Sequence, residues 1–349
     1  MRSSYREDDV RLLLKDITGM VEPQPAKERE RLIQSGRHYC EMLPVEYKPT
    51  EAYMQAYKEA LKNYAKPVAS AVGRLADQIM EKRGDKVVLV SLARAGIPAG
   101  ILLKRYVQKK YQRIVPHYAI SIIRGRGIDR NAMKELLRKY APERLLFVDG
   151  WIGKGAILRE LYKDMEAYPG VSPELAVLAD PANRTSLCGT HEDILIPSAC
   201  LNCTVSGLIS RTFFREDIIG EKDFHGAVYY GELKDDDLSY EFIDAIEAEF
   251  TMENPPETFA VEGDGFEEVK AVAKAFGVSD YNLVKPGIGE TTRVLLRRVP
   301  WKILIGGEHK KDGALSHILR LAEEKGVPVE VYPLKHYRAC GMIKKMADT

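Results

Sequence analysis

Residues 145–158 read LLFVDGWIGKGAIL. An apolar run ends on Asp149, passes through Gly150, Gly153 and Gly155, and enters a segment with helical spacing. Few folds accommodate that order. A strand must run out, the chain must turn tightly, and a helix must begin with its free N–H groups facing the turn. Open α/β sheets do this at the carboxyl ends of their strands, where they collect anionic ligands. The spacing is neither GxGxxG nor the GxxxxGK[ST] of a P-loop. Asp149 is placed to accept hydrogen bonds from a sugar hydroxyl or to hold a divalent ion.

The alternation continues on both sides. Apolar or β-branched runs at 86–91, 115–123, 144–149 and 175–179 predict strands, and 131–140 and 154–162 predict helices. Strands alternating with helices form a parallel sheet covered on its faces. Earlier, 51–82 carries apolar residues at helical spacing and predicts two helices parted near Pro67. The NPPE at 254–257 ends a helix predicted over 239–249 and marks a boundary. Beyond it, 266–276, 292–298, 317–325 and 337–346 predict helices, while 301–305 and 327–332 predict strands. Trp301 reads as core. The expected division is a helical extension (1–83) packed on a catalytic domain (84–253), then a second small α/β domain (256–349).

Composition narrows the partners. With 45% hydrophobic and 30% charged residues and a formal net charge of +1, the 349-residue chain reads as an ordinary globular protein. No apolar run approaches the roughly 20 residues of a membrane span, and the N-terminus lacks the apolar stretch of a signal peptide. A cytoplasmic protein with no membrane partner is expected. Five cysteines, an odd number, argue against a disulfide framework. Between Pro286 and Lys345 there are 12 Lys+Arg and 6 Asp+Glu, so this end is locally basic and permits RNA contact.

Two further segments suit the same crevice. SLARAGIPAG (91–100) sets Arg94, Ala95 and Gly96 after a strand, with small residues exposing N–H groups and a guanidinium for bidentate contacts. IRGRGIDR (123–130) places Arg124 and Arg126 around two glycines, suiting a loop that closes on a polyanion. Asp129 is placed to hold Mg²⁺ or pair with an arginine, and Asp180 to bind Mg²⁺ or cap a turn. His117 is a core histidine or a ligand contact.

Through VSLARAGIPAG, HYAISIIRGRGID, FVDGWIGKGAI, IPSACLNCTVSGLISRT and YRACGMIKK, nearly the whole chain resembles the tellurite-resistance-operon family of type I phosphoribosyltransferases with a C-terminal Pelota-like RNA-binding domain. Members of that family have also been labelled cysteine proteases. The resemblance implies a type I phosphoribosyltransferase-like parallel sheet flanked by helices, and a Pelota-like second domain. It implies transfer from phosphoribosyl pyrophosphate, with Mg²⁺, to a base or nucleoside-like acceptor. Asp149, Arg94, Arg124 and Arg126 would serve catalysis. Ala95, Gly96, Gly150, Gly153, Lys154, Gly155 and Ala156 would hold the phosphorylated sugar, and Asp149, Asp129 and Asp180 the metal. The chain departs from the family signature at Gly150, where a second acid usually stands, and at Gly153 and Lys154, which replace threonines.

GIGETTR (287–293) resembles the RNA-contacting segment of Pelota-like proteins, which nominates Gly287, Gly289, Glu290, Thr292, Arg293 and Arg297 for RNA, with Lys310 and Lys311 extending the basic surface. Gly289 replaces the family's asparagine. Cys188, His191, Cys200 and Cys203 offer zinc-type ligands without the glycine-rich knuckle such sites need, so structural zinc is not expected. Two other readings stand beside the transferase: a non-catalytic sensor of a phosphoribosyl metabolite that binds RNA, and a cysteine hydrolase using Cys200 or Cys203 with His225 and Asp193. A homo-oligomer is compatible with all three.

Overall fold

The computed structural model describes residues 1–257, 261–309 and 313–344; Lys310 and Lys311 lie outside them. The long strands β3 (Val88–Ala93), β4 (His117–Ile123), β6 (Leu145–Trp151) and β7 (Leu175–Ala179) are near-continuous apolar runs. That is the pattern of a parallel sheet buried on both faces. With β1 (Arg11–Leu12) and β8 (Cys188–Thr190) they pair in the order β1-β4-β3-β6-β7-β8, every pair parallel. The short β5 (Gly127–Ile128) turns back antiparallel on β4, β2 (Lys15–Asp16) pairs parallel with β9 (Gly226–Ala227) as a separate ribbon, and α1 (Ala26–Gln34) follows β2 in the chain. The chain steps from β3 to β4 on one side and from β6 to β8 on the other. The carboxyl ends of β3 and β6 therefore flank a switch point, where open α/β sheets form their crevices.

Strand alternation sends residues to two cores. On one face Leu89, Leu146, Val148 and Ala176 pack with α2 (Glu51–Arg83), α3 (Gly96–Tyr111) and α6 (Ser239–Ala248). On the other, Val88, Val90, Phe147 and Val177 pack with α4 (Arg130–Lys139) and α5 (Ala156–Met165). The expected break at Pro67 does not occur, and α2 runs unbroken for 33 residues. Tyr57, Tyr64, Val68, Val72, Leu75 and Ile79 are buried on both sides of the proline. At about 1.5–3 kcal/mol for a buried aliphatic side chain, their burial outweighs the ~3 kcal/mol cost of an interior proline.

The C-terminal unit carries α7 (Gly265–Ala275), α8 (Ile288–Arg297) and α9 (Ser316–Glu324) on a sheet of order β10-β13-β11-β12 (Val284–Pro286, Ala339–Ile343, Pro300–Ile305, Val329–Val331). The helix expected over 337–346 is, over its described part, the central strand β13, paired antiparallel to both neighbours. Trp301 is 38% exposed rather than core, edge-on to Phe276. The hydrophobic clusters do not stop at the boundary: Ile288, Leu295 and Ile303 join the first core, and Val269, Leu304 and Tyr337 the second. No helix among the described residues is long and apolar enough to cross a membrane.

Candidate active site

The switch-point crevice is closed over by the C-terminal unit. Together they form a half-open cavity of about 260 Å³ lined by residues of β6, its following loop, Arg124, Lys285 and α8. Asp149 lies in it and, among the described residues, accepts only from the N–H of Gly150, at 2.7 Å. Burial pushes its carboxyl up to about 7. Ala95 also lines the cavity. Gly96 opens α3, where a Cβ would stand 2.4 Å from the Val148 carbonyl oxygen. The carbonyl of Gly153 accepts from Tyr337 Oη at 2.7 Å. Lys154 Nζ donates to the carbonyls of Tyr281 and Val284 at 2.6 and 3.0 Å. Gly155 takes φ +73° to let Ala156 begin α5.

The remaining expected residues disperse. Arg94 turns to the Ile209 carbonyl at 2.7 Å and to Glu46 at 3.4 Å. Arg126 pairs with Glu41 at 2.7 Å. Asp129 caps α4, accepting from Asn131 and Ala132 N–H, and also accepts from the His225 N–H. Asp180 accepts from the N–H groups of Arg184 and Thr185. Asp149, Asp129 and Asp180 thus occupy three separate settings, and among the described residues no group of three or more His, Cys, Asp or Glu is placed to hold a metal. His117 is buried against Ser91 Oγ at 2.7 Å and the Asp9 carbonyl at 2.8 Å.

In the C-terminal unit, Gly287 (φ +93°) and Gly289 sit at the start of α8, Gly289 facing Ala199. Glu290 pairs with Arg293 at 3.0 Å. Arg293 lies over the Trp151 ring and also reaches the Ala199 carbonyl. Arg297 donates to the carbonyls of Ala199 and Leu201. Thr292 is buried, 2.8 Å from His317 Nε2. This face of α8 is spent on the N-terminal unit.

Cys200 and Cys203 are buried, and the groups nominated beside them are engaged elsewhere. His225 Nδ1 meets Ser121 Oγ at 2.8 Å. Asp193 accepts from the N–H groups of Ile288 and Arg338. Two other cysteines do meet an imidazole. Cys188 Sγ is 3.3 Å from His191 Nε2, and burial, followed by the carboxylates of Asp180 and Glu257, pushes the thiol up to about 12.

The closer pair was not singled out by sequence reasoning: Cys40 Sγ lies 2.9 Å from His38 Nδ1. The Cys40 N–H also points at Nδ1, while Nε2 faces the Arg124 carbonyl oxygen at 3.1 Å. One tautomer satisfies all three contacts, with the proton on Nε2 and the lone pair on Nδ1 aimed at the sulfur. Burial pushes the Cys40 thiol up to about 11, with Arg126 opposing. Burial and Arg126 lower the imidazole. The resting pair is a neutral thiol beside a neutral base. The signal in the sequence was the His-x-Cys spacing, inside a segment read only as an extension.

The chain matches the family described as "Tellurite-like stress resistance cysteine protease StiP" over residues 3–247. Residues 263–345 match the PELOTA RNA binding domain. A curated relative, "Cysteine protease StiP" from Acinetobacter baylyi, is 34% identical over 364 aligned positions, covering 98% of this chain and 94% of its own. Two solved structures of a hypoxanthine-guanine phosphoribosyltransferase from Bacillus anthracis align at 17% and 15% identity. They cover 41% of this chain and 77% and 75% of theirs, with a TM-score of 0.24, too low to carry an argument. The full-length match to a protease family overturns the expectation of a transferase, a pentosyl glycosyltransferase using phosphoribosyl pyrophosphate. The structure supplies a physical reason in the same direction. The acid meant to grip a ribose is recessed, is only partly ionised near neutrality and is overlain by α8.

Proposed function

The chain belongs to the StiP family, and from that premise we propose that it is a cysteine hydrolase of peptide bonds whose nucleophile is Cys40 and whose base is His38. The observation that supports this is the 2.9 Å contact between Sγ and a ring nitrogen whose partner nitrogen is held by a carbonyl. A nucleophile, a base in reach and a group orienting the base make up the arrangement that activates a thiol.

In the reaction, His38 Nδ1 takes the thiol proton as Sγ bonds to the substrate carbonyl carbon. Collapse of the tetrahedral adduct breaks the C–N bond, and Nδ1 returns the proton to the leaving amine. Water then attacks the thioester and gives its proton to Nδ1. The C–S bond breaks and the thiol re-forms. The charge of Arg126 favours the thiolate and disfavours the imidazolium, so it holds the sulfur's negative charge and hastens return of the proton from Nδ1. Cys40 is fully buried, so a substrate reaches the sulfur only as the residues around it give way.

Hydrolysis of a library of internally quenched peptides tests the assignment. Cys40→Ala and His38→Ala should each lose on the order of 100-fold or more, while Cys188→Ala and Cys200→Ala keep their rate. Wild-type turnover by Cys40→Ala would falsify it.

We further propose that the unit matching the PELOTA domain binds RNA. The full chain, titrated with a stem–loop RNA, should bind more tightly as salt is lowered; no binding at low salt overturns this.

A further inference from the structure

The cavity beside the dyad has a charge pattern that the hydrolysis scheme does not use. Arg124, Lys154, Lys285 and Arg293 line it, against Glu290 and Asp149. Glu290 is paired with Arg293. Three cationic side chains then face one carboxyl, Asp149; burial weakens the charge of that carboxyl and, to a lesser degree at neutral pH, of Lys154 and Lys285, each of which an incoming anion would restore. Lys154 has two of its donors on backbone carbonyls, and Lys285 makes no ion pair among the described residues. Cations converging on a half-open recess repel one another and favour an incoming anion.

The position of this space limits what the anion is attached to. Arg124 contributes to both places: its carbonyl holds His38 and its side chain lines the cavity. One residue's length therefore separates the base from the cationic wall. A peptide advances about 3.3–3.6 Å per residue, so a group seated in the cavity lies within a few residues of the bond at Cys40. At ~30 Å³ per water in the liquid, the cavity has room for several waters or for one acidic side chain.

We infer that this cavity is a specificity pocket for an acidic side chain of the peptide substrate, close to the bond that is cut. The inference rests on the Cys40–His38 assignment for its position, and on the cavity alone for its chemistry.

Binding to the full-length Cys40→Ala protein tests it without any need for turnover. In calorimetric titrations acetyl-Glu-Glu-amide should bind at least tenfold more tightly than acetyl-Gln-Gln-amide. The preference should collapse in the Cys40→Ala, Lys285→Gln protein and survive in Cys40→Ala, Lys285→Arg, which keeps the charge. Equal affinity for acid and amide peptides overturns the inference, as does a preference indifferent to Lys285→Gln. Inorganic phosphate binding at that cavity while the acidic peptide does not also overturns it, in favour of a free-phosphate site. None of these results depends on the thiol. An intact dyad with no acidic preference and an acidic pocket with an inert Cys40 are therefore distinguishable.

Discussion

The carbonyl oxygen of Arg124 lies 3.1 Å from Nε2 of His38, although the two residues are 86 positions apart. That contact decides which imidazole nitrogen carries the proton, and so whether the other one can accept the proton of Cys40. Arg124 sits in the turn between β4 and β5 and sends its guanidinium to Asn282 of the C-terminal unit at 3.1 Å. The orientation of the base is therefore set by a turn anchored on both units.

Gly125 adopts φ +78° in that turn. A β-branched residue there is strained by about 1–2 kcal/mol, and the turn relieves the strain by moving its carbonyls. Gly125→Val should slow alkylation of Cys40 by iodoacetamide about tenfold, followed by mass spectrometry of the Cys40 peptide. A rate equal to wild type would show that the Arg124 carbonyl does not orient the base.

The pH profile of hydrolysis follows from the two resting states. His38 must be unprotonated to act, and its affinity for a proton is lowered by burial. Activity should fall on acidification with a midpoint below the ordinary imidazole value of about 6.5. Above it a plateau should hold through neutral pH, since the thiol, pushed up to about 11, does not ionise there by itself. A midpoint above 7 in kcat/KM contradicts this.

Asp149 makes stability fall as pH rises. Its carboxyl goes from an ordinary value of 3.8 to about 7 on folding, so the folded protein binds the extra proton between those values. The stabilisation is full below the lower value and is lost as pH rises through the upper one. Relative to wild type, Asp149→Asn should gain on the order of a few kcal/mol between pH 5 and pH 8 in urea unfolding. A constant difference across that range would show that the carboxyl is ionised throughout.

Asp193 satisfies two backbone donors of the C-terminal unit, the N–H of Ile288 at 3.0 Å and that of Arg338 at 2.9 Å. Asp193→Ala leaves both without it, and each orphaned buried donor costs about 1–3 kcal/mol. Thermal unfolding should shift down, with faster proteolytic nicking between the two units. Asp193→Asn, which keeps an acceptor, should lose less.

Strands were legible where burial on both faces left an uninterrupted apolar run between polar turns: the strand expected at 175–179 is Leu175–Ala179. The same property hid β13, because a short run without alternation has no period to separate strand from helix. The crevice at residues 145–158 was readable because all its parts are consecutive. The His38–Cys40 pair was not, since its orienting group comes from a turn far along the chain. The arginines of α8 show a further limit. Helical spacing places them on one surface but does not say whether that surface meets solvent, RNA or a neighbouring unit.

The hydrophobic clusters that run from the central sheet into α8 and β11 also constrain how this chain can change. Its C-terminal unit is no bead on a string, to be exchanged at the NPPE link for another module. Severing it would strip cover from Leu195, Ala199 and the flank of α2, and leave two sticky fragments in place of one protein. Drift in the C-terminal unit is therefore disciplined by the packing of the first.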